Sequence, residues 1–295
     1  MSRSNRTLSQ RLDKWRQQQT PISLFWFLFK YATLLVGAAA VLVPPYAVVV
    51  SSFKTLEEYQ ASGAMTAPDN WLHFDNYVTV FQQGNLGLAF LNTGLILAAT
   101  LVIVAIMGTM VAYVVSRFEF RGRSLILFAY IIAMVVPYVT TQVATFEIIR
   151  GLGLINNKLS VILLYSGVDV VTIYIYLQFV RNIPIELDEA AIMEGAGYFT
   201  IYRKLIFPLL WPATATVIIL NSIMVYNDFY LPFLYLTDES QRTVSTVLYG
   251  FTNLFGTNYA EISAGIVMII IPSLILFFVM QRQIFSGITH GSVKG

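Results

Sequence analysis

Six long apolar runs constrain what this chain can fold into. They lie at residues 31–53, 91–115, 125–149, 159–180, 205–226 and 264–280. A helix crosses about 30 Å of hydrocarbon with roughly 20 such residues. Core helices of that length would carry polar faces, and barrel strands would alternate with period two. Neither pattern is present. The balance of residues agrees, with 57% hydrophobic and 12% charged, where soluble domains carry about a quarter of their residues as charges. The sequence therefore predicts an all-α integral membrane protein with six transmembrane helices.

Charge bias orients the spans. With the amino terminus inside, every one of the 18 Lys and Arg except Lys54, Arg150, Lys158 and Arg242 falls on the cytoplasmic side, which is the sense of the positive-inside rule. Both termini are expected in the cytoplasm. The chain then divides into a cytoplasmic segment at 1–30, a six-helix membrane domain at 31–283 and a cytoplasmic tail at 284–295. Polar residues precede the first run, which carries Pro44 and Pro45 in place of a small-residue cleavage site. It is expected to remain as a span and not to be removed as a signal peptide.

Several chemistries find no support. Cysteine is absent, so thiol chemistry and disulfides are excluded. His73 and His290 lie far apart in the topology without the spacing of a zinc site, and both read as solvated. No P-loop and no G-x-S-x-G elbow occurs. No catalytic or metal-ligating residue is assigned. A net charge of +2 is explained by topology and does not suggest a nucleic-acid partner.

One polar segment interrupts the apolar pattern between the fourth and fifth runs, at about 182–208. Pro184 suits a first helical position, and Glu186, Asp188 and Glu189 favour the positive end of a helix. The spacing of Leu187, Ala190, Ala191 and Glu194 continues that helix to about residue 194, with a flat strip of alanines along it. Gly195 then terminates it by entering the left-handed region. A solvated connector would be built from the same residue types.

The order Glu189-Ala190-Ala191, three residues, Gly195, nine residues, Leu205, one residue, Phe207-Pro208 resembles the EAA loop of ATP-binding-cassette importer permeases, E-A-A-x3-G-x9-I-x-L-P. Residues 116–123 are similar to the first cytoplasmic loop of the carbohydrate-uptake branch, which includes the smaller maltose-system subunit. Residues 151–157 resemble its G-L-x-N-T turn, Tyr226-Asn227-Asp228-Phe229 its W-N-D-F, and residues 286–295 its G-L-T-x-G-A-V-K-G tail. The resemblance implies the type I importer permease fold in a bacterial or archaeal cytoplasmic membrane. It also implies a second permease subunit, two copies of a cytoplasmic ATPase that carry the ATP and Mg, and an extracytoplasmic solute-binding protein. Glu189, Ala190, Ala191 and Gly195 are then the residues that couple the permease to the ATPase. No cofactor is expected on this chain itself.

A sugar is the cargo this branch implies, a di- or oligosaccharide, with a glycerol phosphate or polyol as the alternative. A stand-alone secondary transporter or channel is the competing class, and it should show internal repeats or paired broken helices. Neutral sugars need hydrogen-bonding groups and aromatic faces. Candidates for the path are Asn221, Tyr226, Asn227 and Tyr230 in and after span five, and Tyr138, Thr141 and Gln142 in span three. Tyr226 and Tyr230 share a face only if their helix continues, and tyrosines at these depths would also suit an interfacial belt. Asp169, near the middle of span four, is costly there unless it faces a polar path or a partner. A structural hydrogen bond by a protonated Asp169 is the other reading.

Overall fold

The computed structural model describes residues 21–253 and 256–292. The helices are α1 (Pro21–Ser52), α2 (Leu56–Ser62), α3 (Asp75–Gln83), α4 (Leu86–Arg117), α5 (Arg123–Val135), α6 (Tyr138–Gly151), α7 (Lys158–Tyr165) and α8 (Val170–Arg181). They continue with α9 (Glu186–Met193), α10 (Tyr198–Leu209), α11 (Trp211–Asn227), α12 (Tyr230–Tyr235), α13 (Val244–Val247) and α14 (Tyr259–Ser292). A two-stranded antiparallel hairpin, Thr252–Asn253 with Gly256–Thr257, precedes α14.

Among the described residues, two helices are long and apolar enough to cross a bilayer unaided, Phe25–Ser52 within α1 and the whole of α4. The third, fourth and fifth runs are not single helices. Each is a bent pair: α5 with α6, α7 with α8 at 51°, and α10 with α11 at 71°. The breaks have local causes. Pro137 supplies no N–H and forces Val136 into an extended conformation before α6 begins. Between α7 and α8 the chain passes through Ser166 and Gly167, and Asp169 starts the new helix as its N-cap. Pro208 removes another ladder donor, and a π-turn over Tyr202–Ile206 immediately precedes it. The sixth run begins earlier than the hydropathy suggests, as an apolar helix over Tyr259–Ile275. Residues 1–20 and the last three residues of the tail lie outside the described residues.

Helix α4 is the centre of the bundle, packed against α7, α8 and α11, while α14 packs on α1, α3 and α11. Gly108 lets the backbone of α4 approach α8: a Cβ there would sit 2.8 Å from a ring carbon of Tyr176 and 3.3 Å from the methyl group of Thr172. Small residues at such crossings are how helices pack closely in a medium that gives no hydrophobic drive. Tyr176, Ile173, Val180, Tyr202, Ile206 and Leu210 form the core at the end of the bundle that carries α9. A second core, with Ile96, Ile149, Tyr165 and Tyr235, lies between α4, α6, α7 and α12.

Lys54, one of the four basic residues that the charge bias leaves outside, is fully buried. Its ammonium donates to Ser62 Oγ at 2.9 Å, Gly63 O at 2.7 Å and Thr66 Oγ1 at 2.6 Å. Three acceptors for three N–H donors replace the water it gives up, and the cation ties residues 54–66 into one compact loop.

Candidate functional site

Helix α9 begins at Glu186, two residues after Pro184, whose carbonyl accepts from Leu187 N–H at 3.4 Å. Its first turn holds Glu186, Asp188 and Glu189, which suits the positive end of the helix dipole. Leu187, Glu189, Ala190, Ile192 and Met193 are exposed, Met193 to 88%, while Ala191 packs against the core. The far end closes on Gly195 at φ +84°. Its N–H donates to Ile192 O at 2.8 Å, and Ala196 N–H donates to Ala191 O at 2.9 Å. That pair of bonds is a Schellman motif, which satisfies carbonyls the helix leaves open and needs a left-handed residue at this position. The short helix, its acidic first turn and its glycine stop stand where the sequence placed them, but Pro184 does not take the first helical position: it precedes the N-cap Ile185, and the helix starts two residues later than expected.

The grip on this helix was not legible from its own sequence. Asp188, read from sequence as a first-turn carboxylate, is buried against Arg117, the last residue of α4, with Nε 2.7 Å from Oδ2 and both side chains 9% exposed. The contact is ionic more than a directed hydrogen bond. Nε–H does not point at the carboxylate, and Asp188 Oδ1 has no donor. Arg117 Nη2 also donates to Ile183 O at 2.8 Å. One guanidinium therefore holds the chain on both sides of Pro184. A further tie joins α4 to α10, where Thr109 Oγ1 and Tyr202 OH lie 2.8 Å apart. Arg117 could have been suspected, because it ends a span on the same side of the membrane as the polar loop.

The path candidates separate into two groups. Asn221 is buried, and its amide donates to Val217 O at 3.0 Å and toward Thr172 Oγ1 at 3.4 Å. Thr172 donates to Asp169 Oδ2 at 3.2 Å, and Asp169 Oδ1 accepts from Thr172 N–H at 2.7 Å. Asn221 and Asp169 are thus brought into one polar chain at the break in span four, with Asp169 exposed at its outer end.

The remaining candidates are engaged in packing or lie apart. Gln142 is buried and donates to Tyr235 OH at 2.7 Å. Burial raises the pKa of Tyr235, so its phenol stays protonated. Tyr226 OH donates to Ile269 O at 2.8 Å, tying α11 to α14. The helix does not continue to Tyr230, because Asp228 is extended and uses its carboxylate to accept from Tyr230 N–H at 2.8 Å and Tyr165 OH at 2.8 Å. Tyr226 and Tyr230 therefore do not share a helix face. Asn227 is exposed and bonded within its own helix to Ile223 O at 2.8 Å. The side chains of Tyr138 and His290 lie outside the described residues. His73 is half-buried, 3.6 Å from Asp75, and not simply solvated.

A cavity of ≈ 750 Å³ opens between α5 and α8, lined by Met134, Val171, Tyr174, Gln178, Arg181 and Asn182. Asn221, Gln142, Tyr226 and Asn227 do not line it. Tyr174 and Gln178 were missed, although a tyrosine and a glutamine four residues apart in a span share one helix face.

An apolar all-helical bundle with a short exposed helix between two of its bent pairs is the architecture of a membrane transport subunit. The chain belongs to the family described as "Binding-protein-dependent transport system inner membrane component", which matches residues 104–290. It is similar to the diacetylchitobiose uptake system permease protein of Streptomyces coelicolor, 31% identical over 267 residues, which cover 90% of this chain and 88% of that one. It is also similar to the melibiose/raffinose/stachyose import permease protein of Bacillus subtilis, 28% identical over 260 residues, covering 88% and 93%. A crystal structure of a bacterial ABC transporter involved in the import of the acidic polysaccharide alginate shares the fold, with TM-score 0.78 and 22% identity over 90% of this chain and 98% of that one.

Proposed function

We propose that the chain is one permease subunit of an ATP-driven sugar importer, with a di- or oligosaccharide as cargo. The observation that carries this reading is α9, an eight-residue helix outside the bundle, exposed on one side and held on the other by the end of a membrane span. A helix so placed offers a docking surface to a separate ATPase, which would hold the ATP and Mg in two copies per transporter. The two long helices, the three bent pairs and the apolar start of α14 support a reading of six crossings, and the charge bias of the loops supports cytoplasmic termini. A second permease subunit and an extracytoplasmic solute-binding protein complete the assembly in a bacterial or archaeal cytoplasmic membrane. The cavity beside α8 supplies the residue types a neutral sugar needs, an aromatic ring on Tyr174 and an amide on Gln178. The names of the two sequence relatives support a saccharide over a glycerol phosphate or polyol.

The test is to purify the tagged chain with its native partners and reconstitute the complex with its solute-binding protein. Hydrolysis is then measured with N,N′-diacetylchitobiose, raffinose, glycerol 3-phosphate and sorbitol. Stimulation by a saccharide is the expected result. A complex without an ATPase would overturn the reading, and stimulation by glycerol 3-phosphate or sorbitol alone would overturn the sugar assignment.

A further inference from the structure

The geometry points to Arg117 as the positioning residue that makes α9 and α4 one rigid body, so that displacement of the docking helix enters the membrane through α4. The proposal rests on the importer reading and adds to it the residue that transmits the motion. Covalently, α9 is joined to the bundle by weak links. On one side lie Asn182–Ile185, outside both flanking helices; on the other lies a turn with Gly195 and Gly197. Beyond that turn the next helix contains a π-turn and bends by 71° before it becomes the fifth span. A push along that route is absorbed by backbone torsions.

The side-chain route is shorter and stiffer. Arg117 is the last residue of a 32-residue helix, and its planar guanidinium contacts two points on the α9 segment, Ile183 O and Asp188 Oδ2. Two contacts from one plane restrain rotation as well as distance. Both side chains are buried, so the attraction is little screened by water or salt. A pair placed only for stability would serve as well if replaced by apolar residues. Asp188 Oδ1 has no donor and Nε–H is poorly aimed, so the pair is not optimised as a stability element. The chosen residue types instead fix the geometry of three chain segments.

The described residues and the sequence contain no cysteine, so spin labels can be placed by substitution at Met107 on α4, Met193 on α9 and Ile271 on α14, all of them exposed. Pulsed electron paramagnetic resonance would be recorded on the complete complex in nanodiscs, nucleotide-free and trapped with ATP, Mg and vanadate. In the wild-type pair the 107–193 distance should be narrow and the same in both states, while the 193–271 distance shifts. Combining Arg117→Met with Asp188→Leu should broaden the 107–193 distribution already without nucleotide and make it shift on trapping. A wild-type distribution in that variant, or a 107–193 shift in the wild type as large as the 193–271 shift, overturns the proposal. If the apolar variant does not assemble, Arg117→Lys keeps the charge with a single point of contact and is held to the same criteria. Failure of both to assemble also overturns it, because the pair would then be a folding element. A wild-type complex in which neither distance responds to nucleotide counts against the importer reading, and broadening in the apolar variant still decides on the clamp.

Discussion

Substitution at Gly195 tests whether the shape of the α9 turn, and not merely its presence, is what the docking surface requires. The residue sits at φ +84°, and a Cβ added there meets nothing within 4 Å. The cost of a side chain is therefore conformational and not steric, about 1–2 kcal/mol for an ordinary L-residue held in the left-handed region. That cost corresponds to a loss of roughly 5- to 30-fold in the population of the closed turn. An eight-residue helix cannot hold its own end without that turn. Apparent affinity for the ATPase should fall by up to the same factor, since only the formed turn presents the docking surface. Asparagine and aspartate enter this region more easily than other residues, and a β-branched residue least easily. The expected order of loss is Gly195→Asn and Gly195→Asp mildest, Gly195→Ala intermediate and Gly195→Val largest. Titrating ATPase onto purified permease complex, with sugar uptake measured on the same variants in vesicles, reads both quantities. Wild-type affinity and uptake in Gly195→Val would refute the reasoning, as would an Asn variant as impaired as Val.

Topology is checked by single cysteines: Glu189→Cys should react with an impermeant thiol reagent only from the cytoplasmic side, and Leu72→Cys, on the exposed loop before α3, only from the outside. Asp169→Asn keeps an N-cap acceptor for Thr172 N–H and should leave thermal stability close to wild type, whereas Asp169→Ala should cost about 1 kcal/mol; normal uptake by the Asn variant would argue against a role for the charge. Gln142→Leu strips the buried Tyr235 hydroxyl of its partner and should destabilise the detergent-solubilised protein by about 1–3 kcal/mol, with Tyr235→Phe added to the same chain restoring part of the loss. Gly108→Val drives a side chain into Tyr176 and should cost about 1–3 kcal/mol, measured as a lowered unfolding midpoint.

Apolar composition and residue spacing made the membrane class and the α9 loop legible, because both depend on local signals. The breaks in the middle spans were legible only in part. Pro137 and Pro208 are visible causes, but a proline bends one transmembrane helix and merely interrupts another according to what its neighbours can satisfy. The break before Asp169 carries no proline at all, only a glycine and a capping carboxylate whose meaning depends on where the next helix points. The burial of Lys54, Asp188 and Gln142 was not foreseen, for a common reason. Their burial is set by partners 8 to 93 positions away, Ser62, Arg117 and Tyr235 among them, and no periodicity within a segment reports such a pairing.

The remote pairings also determine how the two polar regions of the molecule relate. Helix α4 meets the α9 segment through Arg117 and meets α10 through Thr109 and Tyr202. One residue from Thr109, at Gly108, the same helix packs so closely on α8 that an added Cβ would lie 2.8 Å from a ring carbon of Tyr176 and 3.3 Å from the methyl group of Thr172. Thr172 is the residue that joins Asn221 on α11 to Asp169 at the broken start of α8. A displacement of α4 along its axis cannot leave that chain undisturbed, because an added gap of even half an ångström at close-packed atoms forfeits a sizeable share of their attraction. On the proposed clamp, Asp169 and Asn221 are joined by packing to the helix that would move with α9, while Gln142 and Tyr226 are fixed to Tyr235 and Ile269 instead. This ordering makes the α7–α8 break, and not the tyrosines after span five, the first place to look for a response inside the membrane when α9 moves.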